Sequence, residues 1–284
     1  MLTKSALYVV ATPIGNLRDI SLRAMDVLAS VDVVAAEHVN TVRYLLASHS
    51  IAAKIITLHQ HNEATVSNKI VAMLADKKTV ALVTDAGTPG ISDPGAILVN
   101  QVRRHGYQVI PIPGANAAVC ALSAAGITNP HFLFYGFLPN KSAGRKRALD
   151  ALKSLPYALI FYEAPHRILA CVSDLVEVFG EQRQITIARE LTKVFETFHV
   201  CKLGDALNWI QADSNQQKGE FVLLLSGATA VSNPEISDES QYTLKLLLGE
   251  LPLKQAVKLA AEITGNNKNK LYKLALSFKA DKEY

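Results

Sequence analysis

The sequence predicts an α/β fold: two α/β domains followed by a small C-terminal helical extension. Over residues 1–112, short apolar runs rich in β-branched residues alternate with longer amphipathic stretches, the pattern of βα units on a largely parallel sheet. A second alternating set fills 113–227. Past Gly227 the chain turns small and polar (ATAVSNPEISDES, 228–240) before helical periodicity returns, which marks a linker and a separate tail at 241–284.

In the first domain, strands are expected at LYVVA (7–11), VDVVAA (31–36), KIITL (54–58), TVALVT (79–84) and YQVIPI (107–112), with helices near 20–29, 40–48, 63–75 and 95–105. Asn62 or Glu63 stands where it would cap or complement the positive end of the third helix. The second domain is expected to hold helices at 115–125, 143–153, 166–179 and 204–212, and strands at 131–137, 157–162, 184–189, 194–200 and 219–226. Too few residues separate 184–189 from 194–200 for a helical crossover, so that pair is antiparallel and the second sheet mixed. In the extension, helices are expected at 241–249, 252–264 and 268–278, with Pro252 at a helix start and Gly265-Asn266-Asn267 as a turn.

The chain of 284 residues is 49% hydrophobic and 19% charged, which suits a globular protein and excludes extended disorder. A net charge of +4 does not indicate a polyanionic partner, so only local clustering of basic residues is informative. Clustering occurs twice. Lys141, Arg145, Lys146 and Arg147 fall within seven residues at a helix start, where their sign opposes the helix dipole and suggests a phosphate partner, a solvated helix end being the competing reading. Between Pro252 and Ala280 six lysines, Lys268, Lys270 and Lys273 among them, face one acid, Glu262. Cys120, Cys171 and Cys201 are odd in number and far apart, the usage of reduced thiols in a cytoplasmic protein. No secretory signal or run of about 18 apolar residues is present, so neither export nor a membrane is expected.

TPIGNLRDIS (12–21) follows the first strand, where α/β proteins bring backbone to a ligand; Gly15 permits close approach, though a plain turn also accounts for it. It is not GxGxxG, so a Rossmann dinucleotide site is unsupported. DAGTPGISDPG (85–95) packs three glycines, two prolines and two aspartates behind a buried strand, and fixing such a loop is costly unless its backbone has a task. It lacks the Lys and Ser/Thr of a Walker loop, which disfavours nucleoside triphosphate hydrolysis. PIPGANAAVCALSAAG (111–126) opens a helix of very small residues that suits either close packing against a sheet or a flat ligand.

Together TPIGNL (12–17), AE (36–37), LHQHNE (58–63), DAGTPGISDPG (85–95), PIPGANAA (111–118), GFLPNK (136–141), FYEAPHR (161–167), ARELTK (188–193) and GEFVLLLSG (219–227) resemble, in order and spacing, the RsmI family of the tetrapyrrole-methylase superfamily. That family methylates a cytidine ribose 2'-hydroxyl in 16S rRNA of the small ribosomal subunit. The resemblance implies S-adenosylmethionine (S-adenosyl-L-methionine) in the cleft between two α/β domains, a homodimer and no metal. It implies a cofactor site around Pro13, Asp85, Gly87, Thr88, Asn116, Ala117, Tyr162, Ala188, Arg189 and Gly219.

Transfer of a methyl group from a sulfonium is an in-line displacement, so positioning supplies much of the rate, and a base can assist loss of the hydroxyl proton. Glu37, Glu163, His166 and Glu190 are candidates by motif position; Lys193, like Arg167 and Arg189, could pair with an RNA phosphate. Each could instead form a structural ion pair at the cleft. The family's AEDTR reads Ala36-Glu37-His38-Val39-Asn40 here, and Arg43 is placed to compensate for the lost arginine. A small-molecule methyltransferase, of tetrapyrroles for instance, and a weakly active ribosome-binding homologue are the alternatives.

Overall fold

The computed structural model describes residues 2–228, 236 and 238–280. The linker expected at 228–240 falls mostly on 229–235 and 237, which lie outside the described residues, as do 281–284 at the end of the expected extension.

Five parallel strands form the first sheet: β1 (Ala6–Val10), β2 (Val33–Ala36), β3 (Ile55–Thr57), β4 (Val80–Val83) and β5 (Gln108–Ile112), in the order β3-β2-β4-β1-β5. Helices α1 (Leu22–Ser30), α2 (Val39–Ser48), α3 (Glu63–Ala75) and α4 (Ala96–Arg104) make the crossovers. Every residue of β2 and β4 is buried, because a parallel sheet is covered on both faces. Tyr8, Val27 and Leu28 belong to one flanking core, Leu7, Ile70, Leu82 and Leu98 to the other. The chain leaves β1 towards β2 but leaves β4 towards β5, in opposite directions along the sheet. The loops after β1 and β4 therefore part at a topological switch point, where α/β sheets open a crevice.

Asn62 precedes α3 without capping it; its side-chain oxygen accepts from the His59 backbone N–H. Glu63 is buried and serves a different helix. Its Oε1 accepts from the N–H groups of Gly95, Ile97 and Leu98 at 2.9, 2.9 and 3.0 Å. α4 has no side-chain cap of its own, so a carboxylate from α3 satisfies its orphan donors and sits at the positive end of its dipole.

The second sheet comprises β6 (Phe132–Phe137), β7 (Ala158–Glu163), β8 (Gln184–Arg189), β9 (Thr197–Lys202) and β10 (Phe221–Leu225), ordered β6-β7-β10-β8-β9. Only β6 and β7 run parallel; β8 and β9 pair antiparallel, as the short connection demands. That last strand starts later than the expected 194–200, because Glu190 (φ 53°) and Thr192 (φ 65°) turn the chain first. Helices α6 (Ser142–Asp150), α7 (Ile168–Phe179) and α8 (Leu203–Ala212) complete this layer. One face carries a core containing Leu159, Phe161, Cys171, Leu175 and Leu223. On the other, Ala118 and Ala121 of α5 (Ala117–Ala124) pack with Ile160, Ala188, Val222 and Leu224. The small side chains of α5 let its backbone lie close to the sheet. Residues 1–228 form one compact unit containing both sheets.

The described part of the extension is a three-helix unit, α9 (Asp238–Glu250), α10 (Leu253–Thr264) and α11 (Lys268–Ala280), around Leu244, Val257, Ala260, Leu271 and Ala275. Gly265, at φ 69°, closes α10 in the left-handed conformation that glycine adopts without penalty.

Removing the Glu63 carboxylate leaves three N–H groups at the start of α4 without their partner, and a hydrogen bond to a charged group contributes about 1.5–3 kcal/mol. Glu63→Ala is expected to destabilise the protein by about 3 kcal/mol, and Glu63→Gln, which keeps an acceptor oxygen, by about half of that, both read as lower urea midpoints at constant slope.

Candidate functional site

Three strand-end loops are bound to one another at the switch point. Thr12 and Gly87 exchange backbone hydrogen bonds, Thr12 N–H to Gly87 O at 2.8 Å and Gly87 N–H to Thr12 O at 3.0 Å. The Thr12 hydroxyl donates to Thr84 O at 3.1 Å, and that of Thr88 to Ala115 O at 3.0 Å, which adds the loop before α5. Gly87 holds φ 80°, where an L side chain is strained, and its Cβ position faces Ile14 and Ala115. At Gly15 a Cβ would stand 2.5 Å from Lys193 Cγ and 2.9 Å from Leu191 O, so the first loop touches the turn after β8 only because glycine is there.

Between these loops and the second sheet lies a cavity of about 410 Å³. Gly87, Thr88, Asn116, Ala117 and Tyr162 line it, together with Glu163 and His166. Asn116 caps α5 by accepting from Val119 N–H, and Ala118 N–H donates to Tyr162 Oη at 3.0 Å, tying α5 to β7. Burial pushes the Tyr162 phenol up, so it stays protonated. Glu163 is buried in the wall: Oε1 accepts from Ala164 N–H and stands 3.0 Å from Arg167 Nε, whereas Oε2 has no hydrogen-bond partner among the described residues.

Five expected cofactor residues, Asp85 among them, lie outside this wall. Pro13 is buried behind Ile14, which lines the cavity in its place; Ala188 is core beneath α5. Arg189 is buried, donating to Lys218 O and Phe195 O, so it braces two loops. Gly219, at φ 90°, lies against the Glu190 side chain, leaving Glu220 to reach the wall. Glu190 and Lys193, neither of which lines the cavity, form an ion pair at 2.7 Å, and Lys193 also reaches Glu220 of the wall at 2.9 Å. Burial works against both charges, but their hydrogen bonds outweigh it, holding Glu190 below its usual range and Lys193 above its own.

Asp85 faces a neighbouring groove of about 540 Å³ with Glu37, His38 and His59. Its Oδ2 is 2.7 Å from His38 Nδ1 and its Oδ1 accepts from His38 N–H at 3.2 Å. Glu37, His38 and Asp85 bring ligand-type atoms within 4.8 Å of one another, a grouping of the kind that holds cations, but His38 Nδ1 is already engaged by Asp85. Arg43 donates to Asn40 Oδ1 at 3.1 Å, returning a guanidinium to that loop.

The basic run 141–147 divides. Arg145 is buried on Asp174 at 2.6 Å, which corrects its expected RNA contact, since a guanidinium enclosed with a carboxylate is unavailable to phosphate. Lys146 pairs with Glu177 and Asp174. Lys141 and Arg147 are exposed and make no ion pair among the described residues. Arg167 also departs from expectation: it pairs with Glu163 and donates to Leu138 O and Asn140 Oδ1, clamping the loop after β6. Lys268 and Lys273 of α11 are exposed and Lys270 is partly so.

The motifs do not assign Ile14, Asp93 or His38 to the site, yet the fold places all three at it. Asp93 carries a visible signal, its place in the same loop as Gly87. Burial first, then the Glu37 carboxylate, pushes it up to about 6. A folded value raised from 3.8 means that the folded state binds the proton more tightly, so this group's contribution is present at low pH and lost as pH rises from about 4 to about 6. Asp93→Asn should therefore melt higher than the parent above pH 6 and lose that advantage near pH 4, as measured by thermal unfolding across buffers.

Residues 6–207 match the Tetrapyrrole (Corrin/Porphyrin) Methylases family and residues 234–279 the RsmI C-terminal HTH domain. The chain is 47% identical over 274 residues to ribosomal RNA small subunit methyltransferase I of Escherichia coli O157:H7, covering 96% of each chain. Against the protein of that name from Pseudomonas aeruginosa it is 48% identical over 276 residues, 97% of this chain and 98% of that one. Two solved structures share the fold: uroporphyrin-III C-methyltransferase from Thermus thermophilus (TM-score 0.56, 18% identity, 78% of this chain and 94% of that one) and the cobalt precorrin-4 methyltransferase CbiF (TM-score 0.58, 15% identity, 78% and 95%). The chain belongs to the tetrapyrrole methylase family and, within it, to the RsmI group that carries the C-terminal HTH domain.

Proposed function

We propose that this chain uses S-adenosylmethionine to methylate a cytidine ribose 2'-hydroxyl in 16S rRNA of the small ribosomal subunit, as a cytoplasmic homodimer. The observation that carries this reading is the identity of 47–48% to ribosomal RNA small subunit methyltransferases I across nearly the whole chain, C-terminal helices included. A tetrapyrrole substrate, as the fold neighbours' names would suggest, is the weaker reading, because those neighbours share only 15–18% of residues. Unpaired Cys120, Cys171 and Cys201 support a reducing compartment, and no helix among the described residues is long and apolar enough to cross a membrane. Val194 and Phe195, 93% and 71% exposed, support burial against a second copy.

The cavity fits the cofactor. Its walls combine apolar Ile14, Leu191 and Val222 with polar groups, and Glu163 Oε2 is a buried acceptor with no hydrogen-bond partner among the described residues. Gly87, Thr88, Asn116, Ala117 and Tyr162 would hold it, with Asp93 ionising in response to a nearby positive charge. When bound, S-adenosylmethionine supplies an electrophilic methyl group on a positively charged sulfur. The residues of the chain position the acceptor and exclude water from an apolar cleft.

Two outcomes are expected. Mass spectrometry of 16S rRNA should find a ribose-methylated cytidine in cells carrying the gene, absent on deletion and restored by complementation; a methyl on a base, or unchanged rRNA, overturns the reading. Changing Lys268, Lys270 and Lys273 together to Ala should weaken binding to small subunits and flatten the plot of log affinity against log salt by about 2, at roughly 0.7–0.9 for each phosphate no longer neutralised.

A further inference from the structure

We propose that His38 is the general base of the transfer, accepting the ribose hydroxyl proton on Nε2 while Asp85 holds the ring through Nδ1. The proposal rests on the reading that the acceptor is a ribose hydroxyl.

The geometry is a two-point clamp. His38 follows β2 and precedes α2, and Asp85 accepts from both its backbone N–H at 3.2 Å and its ring Nδ1 at 2.7 Å. An ionised carboxylate only accepts, so Nδ1 carries the hydrogen and Nε2 keeps the lone pair. Nε2 has no hydrogen-bond partner among the described residues, and the side chain is 67% exposed to the groove. Asp85 continues directly into Ala86, Gly87 and Thr88 of the cavity wall, so the ring is held at the boundary between groove and cavity.

The charged surroundings are Asp85 after β4, Glu37 at the end of β2, Asp93 in the 85–95 loop, His59 after β3 and Arg43 on α2. The groove and its margin thus bring together three carboxyl groups and one guanidinium. Burial, then the Asp85 charge, raises Glu37, which leaves it less ready to remain a free anion. Two of the other candidate bases are engaged elsewhere, while His166 lines the cavity without a side-chain hydrogen bond among the described residues. Glu190 is locked to Lys193 and the Glu220 N–H, and Glu163 is paired with Arg167 inside the wall. In the transfer, the ribose oxygen bonds to the methyl carbon as the carbon–sulfur bond breaks with its electron pair onto sulfur, and the hydroxyl proton passes to Nε2 and then to solvent.

Wild-type protein, S-adenosylmethionine and purified small subunits provide the test. Mapping the wild-type product comes first: a methyl group elsewhere than on a ribose oxygen removes the premise. Given a ribose product, His38→Gln should lower the single-turnover rate by about 100-fold or more. Its affinities for S-adenosylmethionine and for the subunit should be unchanged, and the acidic limb of the pH–rate profile should disappear. Added imidazole should restore part of the rate to His38→Ala. A wild-type rate and profile in His38→Gln, or a rate loss matched by lost affinity, overturns the role of His38 alone. Nitrogen NMR of the wild-type ring, which needs no variant to fold, should find the hydrogen on Nδ1 above pH 8; a hydrogen on Nε2 overturns the proposal. Asp85→Asn should shift that tautomer balance and depress the rate without abolishing the pH dependence.

Discussion

The paired backbone hydrogen bonds between Thr12 and Gly87 fasten together the loops that leave β1 and β4 in opposite directions. The Thr12 and Thr88 hydroxyls extend the same network to Thr84 and Ala115, and the start of α5 is held against the loop that carries Asp85 and Asp93. Backbone groups carry most of this task, with the Thr12, Thr88 and Glu63 side chains tying the loop to its neighbours, so glycines and prolines are accommodated along it.

Contact between the two sheets depends on the absence of side chains at particular points. Gly15 lies against Lys193 and Leu191, and at Gly136 in the bulge of β6 a Cβ would stand 2.7 Å from Ser92 Oγ. The bond from Ala118 N–H to Tyr162 and the small residues of α5 bring the second sheet close on the remaining side. The cavity is thus closed by close approach, leaving walls that are mostly apolar with a few polar groups turned inward. Arg167 and Arg145 contribute from outside, clamping β6 and α7 through Glu163 and Asp174.

Negative charge collects where the strands of the first sheet end. Burial and the neighbouring carboxylates raise the proton affinity of Glu37 and of Asp93, and Asp85 is hydrogen-bonded by the backbone N–H and the ring of His38. A positively charged ligand and a proton-accepting ring both suit such a place. The helical extension contributes a different electrostatic character, with lysines exposed around a small apolar core.

Alternation of apolar runs is enough to place the strands and helices to within a few residues, because burial on one or both faces imposes a periodicity that reads directly from the chain. Motif position likewise brings Gly87, Thr88, Asn116, Ala117 and Tyr162 to the cavity wall. The partners of charged side chains are not legible, since a carboxylate or guanidinium joins whatever the fold sets beside it. Glu63 caps α4 rather than its own helix, Arg145 is enclosed with Asp174, and Arg189 braces carbonyls from 195 and 218. Asp85 meets His38 across 47 residues of sequence, a pairing that exists because β2 and β4 are neighbours in the sheet and end at the same edge. Local pattern specifies elements through burial; the electrostatics of the site arise only when separate strand ends are brought within a few ångströms of each other.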